Sequence, residues 1–313
     1  WLDENRILVE RCEFDIIFYL EPVMSHHIQK LMLSKLAPVQ IVSHGHPVTS
    51  GVSSDIMNYY VSWEGAELDY EQSKHHYSEN LYLLPKDSIH QYYGPRSKDG
   101  ISLINNQPFH NITRDYFEEL YNFRGKNWYL CMQKPFKCHP EMIQMIEGIS
   151  QKDENSMIIL HKSDKEEKCA LEKYFKRTET YKRVLFLPHQ PHHLLMALYN
   201  LSDVVLDSYY AGGCTTSREA LELGTPIVTL PAKYLGGRWT YGIYNIIGVH
   251  DLICNSKEEY VEKACLYGMN KDKNQEMREK IKDNISKIFY QRTAIENWTK
   301  ALNHFYEISQ DSI

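Results

Sequence analysis

The chain has 313 residues, of which 42% are hydrophobic and 24% are charged, a balance typical of a globular protein with about two domains. Its formal net charge of −6 provides no field of positive charge, so we expect no binding to nucleic acid. Its seven cysteines form no Cys-x-x-Cys pair and its apolar runs are short, so we expect no zinc site, no transmembrane segment and a cytoplasmic protein.

The first part of the chain alternates strand and helix patterns in the way that is typical of an α/β domain. Short runs rich in β-branched and aromatic residues, such as FDIIFYL and VQIVS, flank a segment with helical periodicity, which predicts a βαβ unit. We predict, in order, a strand at 14–20, a helix at 24–36, strands at 39–43 and 56–63, a helix near 69–77 and a strand at 80–84.

A second α/β series follows a segment, residues 86–125, that is rich in turn-forming residues and that we expect to connect two domains. We predict strands at 127–131, 157–161, 184–188, 203–207 and 226–230, separated by helices at 139–149, 166–176, 191–202 and 216–223. This alternation predicts a mostly parallel sheet. A last helical pattern places Ile295, Trp298 and Leu302 on one apolar face.

The segment from Asp207 to Glu219 carries the most chemistry, because a strand ends, a glycine pair follows and a helix begins near Thr215. Gly212, Gly213 and the hydroxyls of Thr215 and Thr216 surround a helix N-terminus, whose unpaired N–H groups and positive end favour an anion. A diphosphate would fit there, and Glu219 lies one turn further on, placed to accept hydrogen bonds from a ribose diol. The alternative is a capping box formed by the same Thr-Thr-Ser-Arg-Glu residues.

The surrounding pattern LSDVVLD…GGCTTSREALELGTPIVTLP…GGR…IIGVHDLI resembles the C-terminal catalytic lobe of the O-GlcNAc transferase family. Upstream, APVQIVSHGHPVTSG, MNYYVSW and HHYSENLYLLPKD are similar to the N-terminal lobe of that family, which includes the bacterial adhesin N-glucosyltransferases. The resemblance implies an α/β fold of GT-B architecture, with two facing Rossmann-like domains and mostly parallel sheets. It implies an N-terminal, acceptor-side lobe at 1–110, shorter than the family's, a nucleotide-sugar-binding lobe at 111–290, and a C-terminal helix at 291–313 that packs back toward the N-terminal lobe.

The resemblance also implies a set of donor-binding residues in the C-terminal lobe. Lys137 in KPFKCHP matches the family lysine that contacts the donor diphosphate, a role that suits a cation because the leaving group carries negative charge. The other residues implied are Gln133 and Lys134 beside Lys137, Thr215 and Thr216 at the diphosphate with Gly212 and Gly213, Glu219 at the ribose, Arg238 in GGRWT, and either His192 or His193 in LPHQPHHLLMAL.

Two histidines of the N-terminal lobe, His44 and His46, are candidate catalytic residues together with Lys137. His46 matches the histidine of a Gly-His-Pro motif in the bacterial N-glucosyltransferases, and a neutral imidazole can accept a proton from an acceptor. The alternative is a histidine that is hydrogen bonded to the backbone of its loop. The family carries a further histidine, a candidate general base, in a part of the N-terminal lobe that this sequence does not contain.

The resemblance implies an inverting glycosyltransferase that needs no metal or other cofactor and moves a sugar from a nucleotide sugar to a protein or glycan acceptor. A UDP-sugar is the expected donor, and GDP-fucose is the alternative. Two other functions stay open at this point. One is a sugar-nucleotide epimerase of the same fold, and the other is a non-catalytic domain that binds a nucleotide sugar within a larger chain.

Overall fold

The computed structural model describes residues 2–20, 25–43, 48–162 and 170–311. The chain forms two compact units, and each contains its own parallel sheet. Unit 1 comprises Trp1–Tyr92, Tyr234–Gly236 and Tyr290–Ile313, and unit 2 comprises Tyr93–Lys233 and Gly237–Phe289. Among the described helices, none is long and apolar enough to cross a membrane.

The helices and strands alternate along most of the chain. The first half contains α1 (Leu2–Glu10), β1 (Ile16–Tyr19), α2 (His26–Leu31), β2 (Val39–Ser43), β3 (Tyr59–Trp63), α3 (Tyr70–Ser73), β4 (Asn80–Leu84), β5 (Ser97–Lys98), β6 (Ile101–Ser102), α4 (Arg114–Leu120), β7 (Asn127–Cys131) and α5 (Pro140–Lys152). The second half contains β8 (Ser156–His161), α6 (Ala170–Phe175), β9 (Val184–Leu187), α7 (His192–Leu201), β10 (Val204–Leu206), α8 (Thr215–Glu222), β11 (Ile227–Val228), α9 (Trp239–Ile247), α10 (Lys257–Met269), α11 (Lys271–Ile285) and α12 (Arg292–Gln310).

Unit 1 is built on a four-stranded sheet in the order β1-β2-β3-β4, and every neighbouring pair in it is parallel. The last helix of the chain, α12, packs on this sheet, but Ile295 and Leu302 of the expected apolar face are exposed. Its buried positions are Ala294, Asn297, Ala301, Phe305 and Ser309. The ring of Phe305, which is fully buried, lies 4.9 Å from that of Tyr59 and 5.0 Å from that of Tyr82. Trp298 stacks on Phe18 at 5.3 Å and donates its indole N–H to the carbonyl of His90. The C-terminal helix therefore completes the core of unit 1.

Unit 2 is built on a five-stranded parallel sheet in the order β11-β10-β7-β8-β9. Its central strands β7 and β8 are buried along their whole length, as expected for parallel strands covered by helices on both faces. The chain runs from β7 outward to β8 and β9, and then returns to place β10 on the other side of β7. The order of strands thus reverses between β7 and β10, and in open α/β sheets ligands bind at such a point.

The segment from Tyr93 to His110 differs from the connection expected there, because it is part of unit 2 and contains the hairpin of β5 and β6. The carboxylate of Glu222, at the end of α8, accepts hydrogen bonds from the backbone N–H groups of Arg96 and Ser97, at 2.8 and 2.7 Å. These contacts hold the segment against α8. Unit 2 accordingly begins at Tyr93, whereas the sequence predicts an N-terminal lobe that extends to residue 110.

Candidate nucleotide-binding site

The candidate site lies in unit 2, where the loops that follow β7 and β10 meet. These two strands are neighbours in the sheet, and Val204 pairs with Tyr129. Because both strands are parallel, their carboxyl ends meet at the same edge, and the two loops leave side by side at the point where the strand order reverses. The loop after β7 carries Gln133 and Lys137, and the loop after β10 carries the glycine pair and leads into α8.

Asp207, directly after β10, organises the glycine loop although the sequence analysis did not single it out for a role. Its side chain is buried, and its two oxygens accept hydrogen bonds from Gly213 N and from Thr229 Oγ1, each at 2.8 Å. Burial raises the pKa of this carboxyl, and the hydrogen bonds and the nearby Lys137 oppose that rise. A side chain at Gly212 would place its Cβ 2.7 Å from Asp207 Oδ1, so the tight loop requires a glycine there.

The N-terminus of α8 has no side-chain cap. Cys214 occupies the N-cap position and accepts no hydrogen bond from the first turn, and that turn contains no acidic residue. The hydroxyl of Ser217 donates to the carbonyl of Gly213 at 3.0 Å. The capping box that the sequence left as an alternative is therefore not formed, and the first-turn N–H groups keep their capacity to bind an anion.

A chain of hydrogen bonds joins three of the expected donor-binding residues at this helix end. Gln133 Nε2 donates to Thr216 Oγ1 at 2.6 Å, and Gln133 Oε1 accepts from Lys137 Nζ at 2.9 Å. Lys137 Nζ also donates to the carbonyl of Gly212 at 3.2 Å. Burial lowers the pKa of Lys137, and the charge of Asp207 opposes that change. The half-buried ammonium group thus lies beside the uncapped end of α8.

Glu219 and His192, two more of the expected residues, are in contact with each other. Glu219 is 3% exposed, and its Oε1 is 3.2 Å from His192 Nε2 and 3.7 Å from Arg96 Nε. Because a carboxylate only accepts, His192 donates through Nε2, and the Nδ1 of a neutral ring then accepts from the Ser102 hydroxyl at 2.7 Å. The β5–β6 hairpin therefore fixes the orientation of His192. Neither Ser102 nor Arg96 was expected at this place.

The remaining expected residues lie in different surroundings. His193 Nδ1 is hydrogen bonded to the side-chain amide of Asn105 at 2.8 Å. Lys134 is exposed. Arg238 is buried at the start of α9, where it donates to the carbonyl of Ala232 and lies over the ring of Tyr241. The candidate catalytic histidines, His44 and His46, lie outside the described residues.

The structure describes no group of three or more His, Cys, Asp or Glu side chains placed to hold a metal ion in residues 2–20, 25–43, 48–162 and 170–311. Charged groups at the site include Lys137, Asp207 and Glu219, and the N-terminus of α8 adds a partial positive charge. An anion bound at Thr215 and Thr216 would therefore meet backbone N–H groups, two hydroxyls and an ammonium group.

Comparison with known proteins gives a family and a fold. The family model described as glycosyl transferase family 41 matches residues 124–297, more than half of the chain. A probable UDP-N-acetylglucosamine–peptide N-acetylglucosaminyltransferase of Arabidopsis thaliana is 26% identical over 86% of this chain, and 26% of that protein is covered. A UDP-glucose:protein N-beta-glucosyltransferase of Actinobacillus pleuropneumoniae is 22% identical over 86% of this chain, with 40% of that protein covered.

Among solved structures, an O-GlcNAc transferase mutant of Thermobaculum terrenum is similar over 100% of this chain and 57% of that chain, with a TM-score of 0.76 and 21% identity. The pneumococcal O-GlcNAc transferase GtfA, solved with UDP and GlcNAc, has a TM-score of 0.53 and 11% identity, and 96% of this chain and 59% of that chain are covered. These likenesses confirm the expected α/β class with parallel sheets. The chain thus spans between about a quarter and three fifths of the length of the four proteins named above.

Proposed function

The chain belongs to glycosyl transferase family 41, and from that premise we propose that it transfers a sugar from a UDP-sugar to a protein or glycan acceptor. The reaction is proposed to invert the anomeric centre and to need no metal ion. The names of two relatives support the donor class, since the protein of Arabidopsis thaliana is named for UDP-N-acetylglucosamine and that of Actinobacillus pleuropneumoniae for UDP-glucose. They also support a protein as the acceptor, since one acts on peptides and the other on proteins.

One observation supports a donor site in unit 2 above all others. The uncapped N-terminus of α8 lies within one hydrogen-bonded chain with Thr216, Gln133 and Lys137, at the carboxyl ends of two neighbouring parallel strands. Helix ends and lysines of this kind bind diphosphates in other α/β proteins. We assign the diphosphate to Thr215, Thr216 and Lys137, and the ribose to the carboxylate of Glu219.

The proposed chemistry follows from these charges. An oxygen or nitrogen of the acceptor attacks the anomeric carbon and loses its proton to a base, while the bond from that carbon to the diphosphate oxygen breaks and UDP departs with the electron pair. Negative charge grows on the departing oxygen, and the ammonium group of Lys137 and the N–H groups of α8 stabilise it. The half-buried position of Lys137 strengthens this interaction, because water screens it less.

The base that accepts the acceptor's proton is proposed to be a histidine. His46, with His44 as the alternative, is the candidate that the sequence offers within this chain, and an imidazole is suited to accept a proton near neutral pH.

We propose a cytoplasmic setting on the basis of the thiols. The six cysteines that the structure describes are all free, and three of them, Cys131, Cys254 and Cys265, are buried.

The test is a transfer assay with the purified chain, UDP-GlcNAc or UDP-glucose, a peptide library and EDTA, read by mass spectrometry. Loss of Lys137 in Lys137→Ala should lower kcat by about 10²–10³, the effect of removing one stabilising group at a charged transition state. Lys182→Ala is the matched control, because Lys182 is an exposed lysine of unit 2 that pairs with Glu179, and it should retain full activity. The anomeric configuration of the product, read by NMR, tests inversion.

The outcomes separate the competing functions. Transfer in EDTA that is lost only in Lys137→Ala would support the proposal, and transfer that requires an added divalent ion would contradict its metal-independent form. Conversion of the sugar nucleotide without any acceptor would favour an epimerase. Tight binding of a UDP-sugar without turnover on any acceptor would favour a non-catalytic binding domain.

A further inference from the structure

Arg218, on the first turns of α8, is a buried cation that the sequence analysis left without a role. Its side chain is 5% exposed, and its guanidinium carbon lies 3.4 Å from the ring centroid of Tyr93. Nη2 donates to Thr215 Oγ1 at 3.3 Å, whereas Nε is buried and has no hydrogen-bond acceptor. The guanidinium group therefore reaches back along the helix to its first residue.

The charge of this guanidinium is not balanced by a carboxylate. In the part of the chain that the structure describes, Arg218 contacts a ring, a hydroxyl and the Cys214 thiol but forms no ion pair. Arg114, an arginine of unit 2 that is only partly buried, does form such a pair, with Asp203 at 2.9 Å. Burying a charge without a counter-ion is costly, and a bound anion would remove that cost. The cation–π contact with Tyr93 offsets only part of it.

Arg218 and Lys137 are both linked by hydrogen bonds to the first turn of α8. Lys137 is connected through Gln133 to Thr216, and Arg218 is connected directly to Thr215. Both cations act on the N-cap residue between them, since the charges of Arg218 and Lys137 each oppose the rise that burial causes in the pKa of Cys214. Each of the two neighbouring hydroxyls at this uncapped helix N-terminus is thus linked to a cation, Thr215 directly and Thr216 through Gln133.

We propose that Arg218 is a second cation of the donor site, which holds the Thr215 hydroxyl in place and balances part of the negative charge of a nucleoside diphosphate. The inference rests on the proposed donor site and deepens it, because it assigns that site two cations rather than one. A diphosphate has two phosphoryl groups, and two cations, one linked to each threonine hydroxyl, match that charge. Two cations also leave less need for a divalent ion.

The experiment is a calorimetric titration of the whole chain with UDP and with uridine, which has the same base and ribose but no phosphate. Arg218→Gln should weaken UDP binding by about tenfold or more, and should leave the affinity for uridine within about twofold of that of the unmodified chain. Arg218→Met, whose side chain fills similar space without charge, should behave in the same way and serves if the Gln variant does not fold. Arg218→Lys keeps the charge and should retain most of the UDP affinity.

Tyr93→Leu is the matched control, because it removes the ring over which Arg218 lies and keeps the cation. If Arg218 only anchors the Tyr93 segment to α8, Tyr93→Leu will lose as much UDP affinity as Arg218→Gln, and both variants will also lose uridine affinity. That result would overturn the inference. Unchanged UDP binding in Arg218→Gln and Arg218→Met would also overturn it while leaving the donor site intact. If the unmodified chain binds no UDP, the proposed function fails and the inference fails with it.

Discussion

Gly213→Ala tests how closely the glycine loop and the donor-binding side chains fit together. A Cβ at this position would lie 2.4 Å from Thr216 Oγ1, 2.6 Å from Ser217 Oγ and 3.0 Å from Gln133 Nε2. Gly213 does not have a positive φ, so its backbone can accept alanine and the whole cost comes from these contacts. The Thr216 hydroxyl and the Gln133 amide must move, and the hydrogen bond that joins them must break.

The expected magnitudes follow from that clash. Crowding a packed site by one methyl group costs about 1–3 kcal/mol, which corresponds to a fall in melting temperature of roughly 2–4 °C per kcal/mol for a chain of this size. Displacing a hydroxyl that contacts a charged ligand should weaken UDP binding by about tenfold or more. Calorimetry gives the affinity and differential scanning fluorimetry the melting temperature.

Gly248→Ala is the control, because Gly248 caps α9 with a φ of 70° and has no atom within 4 Å of its ideal Cβ. This variant should lose about 1 kcal/mol through backbone strain and bind UDP as the unmodified chain does. The reasoning is refuted if Gly213→Ala binds UDP with unchanged affinity, or if both glycine variants lose affinity in proportion to their loss of stability.

Three further predictions address single groups. Burial lowers the pKa of Lys137, so its ammonium group loses its charge at a lower pH than that of an ordinary lysine. UDP affinity measured by calorimetry should therefore fall as the pH rises through that lowered pKa. Lys137→Ala should lack this pH dependence. Glu219→Gln should weaken the binding of UDP by about tenfold but leave the binding of inorganic pyrophosphate unchanged, because the carboxylate is assigned to the ribose. Equal losses of affinity for both ligands in calorimetry would reject that assignment. Phe305→Ala should cost about 3–5 kcal/mol in urea unfolding of unit 1, and a loss below about 1 kcal/mol would contradict its place in the core.

The order of strands and helices could be read from the sequence because parallel strands are buried on both faces. Runs such as NWYLC and SMIILH are almost continuously apolar, and the helices between them have a different period. The predicted strands of both units are present, most of them within one or two residues of the expected ends. β3 is an exception, since it begins at Tyr59 and not at residue 56, and in the short β11 only Ile227 and Val228 pair as a strand.

Elements that depend on contacts between distant segments could not be read in this way. The hairpin of β5 and β6 has only two residues in each strand, and it is held by Glu222 on α8, more than 120 positions away in the chain. Helix α1 has no buried residue among its nine positions and therefore no apolar stripe of the usual kind. A local pattern carries no signal for either element.

Some features of the candidate site could likewise be read from the sequence, and others depend on contacts between distant segments. A helix N-terminus after a glycine pair is visible in the sequence, but the choice between a capping box and an open anion site depends on what Cys214 and Ser217 do in three dimensions. The contact of His192 with Glu219 and the role of Asp207 depend on which strands are neighbours. The role proposed for Arg218 needed its burial and its unpartnered Nε to be known.

The most direct test of the central claim is a calorimetric titration of the unmodified chain and of Lys137→Ala with UDP in the presence of EDTA, with Lys182→Ala in parallel. We expect the unmodified chain to bind UDP without metal. The affinity for UDP should be weakened about tenfold or more in Lys137→Ala and unchanged in Lys182→Ala. Absence of UDP binding to the unmodified chain, or equal binding to all three proteins, would contradict a donor site at the N-terminus of α8.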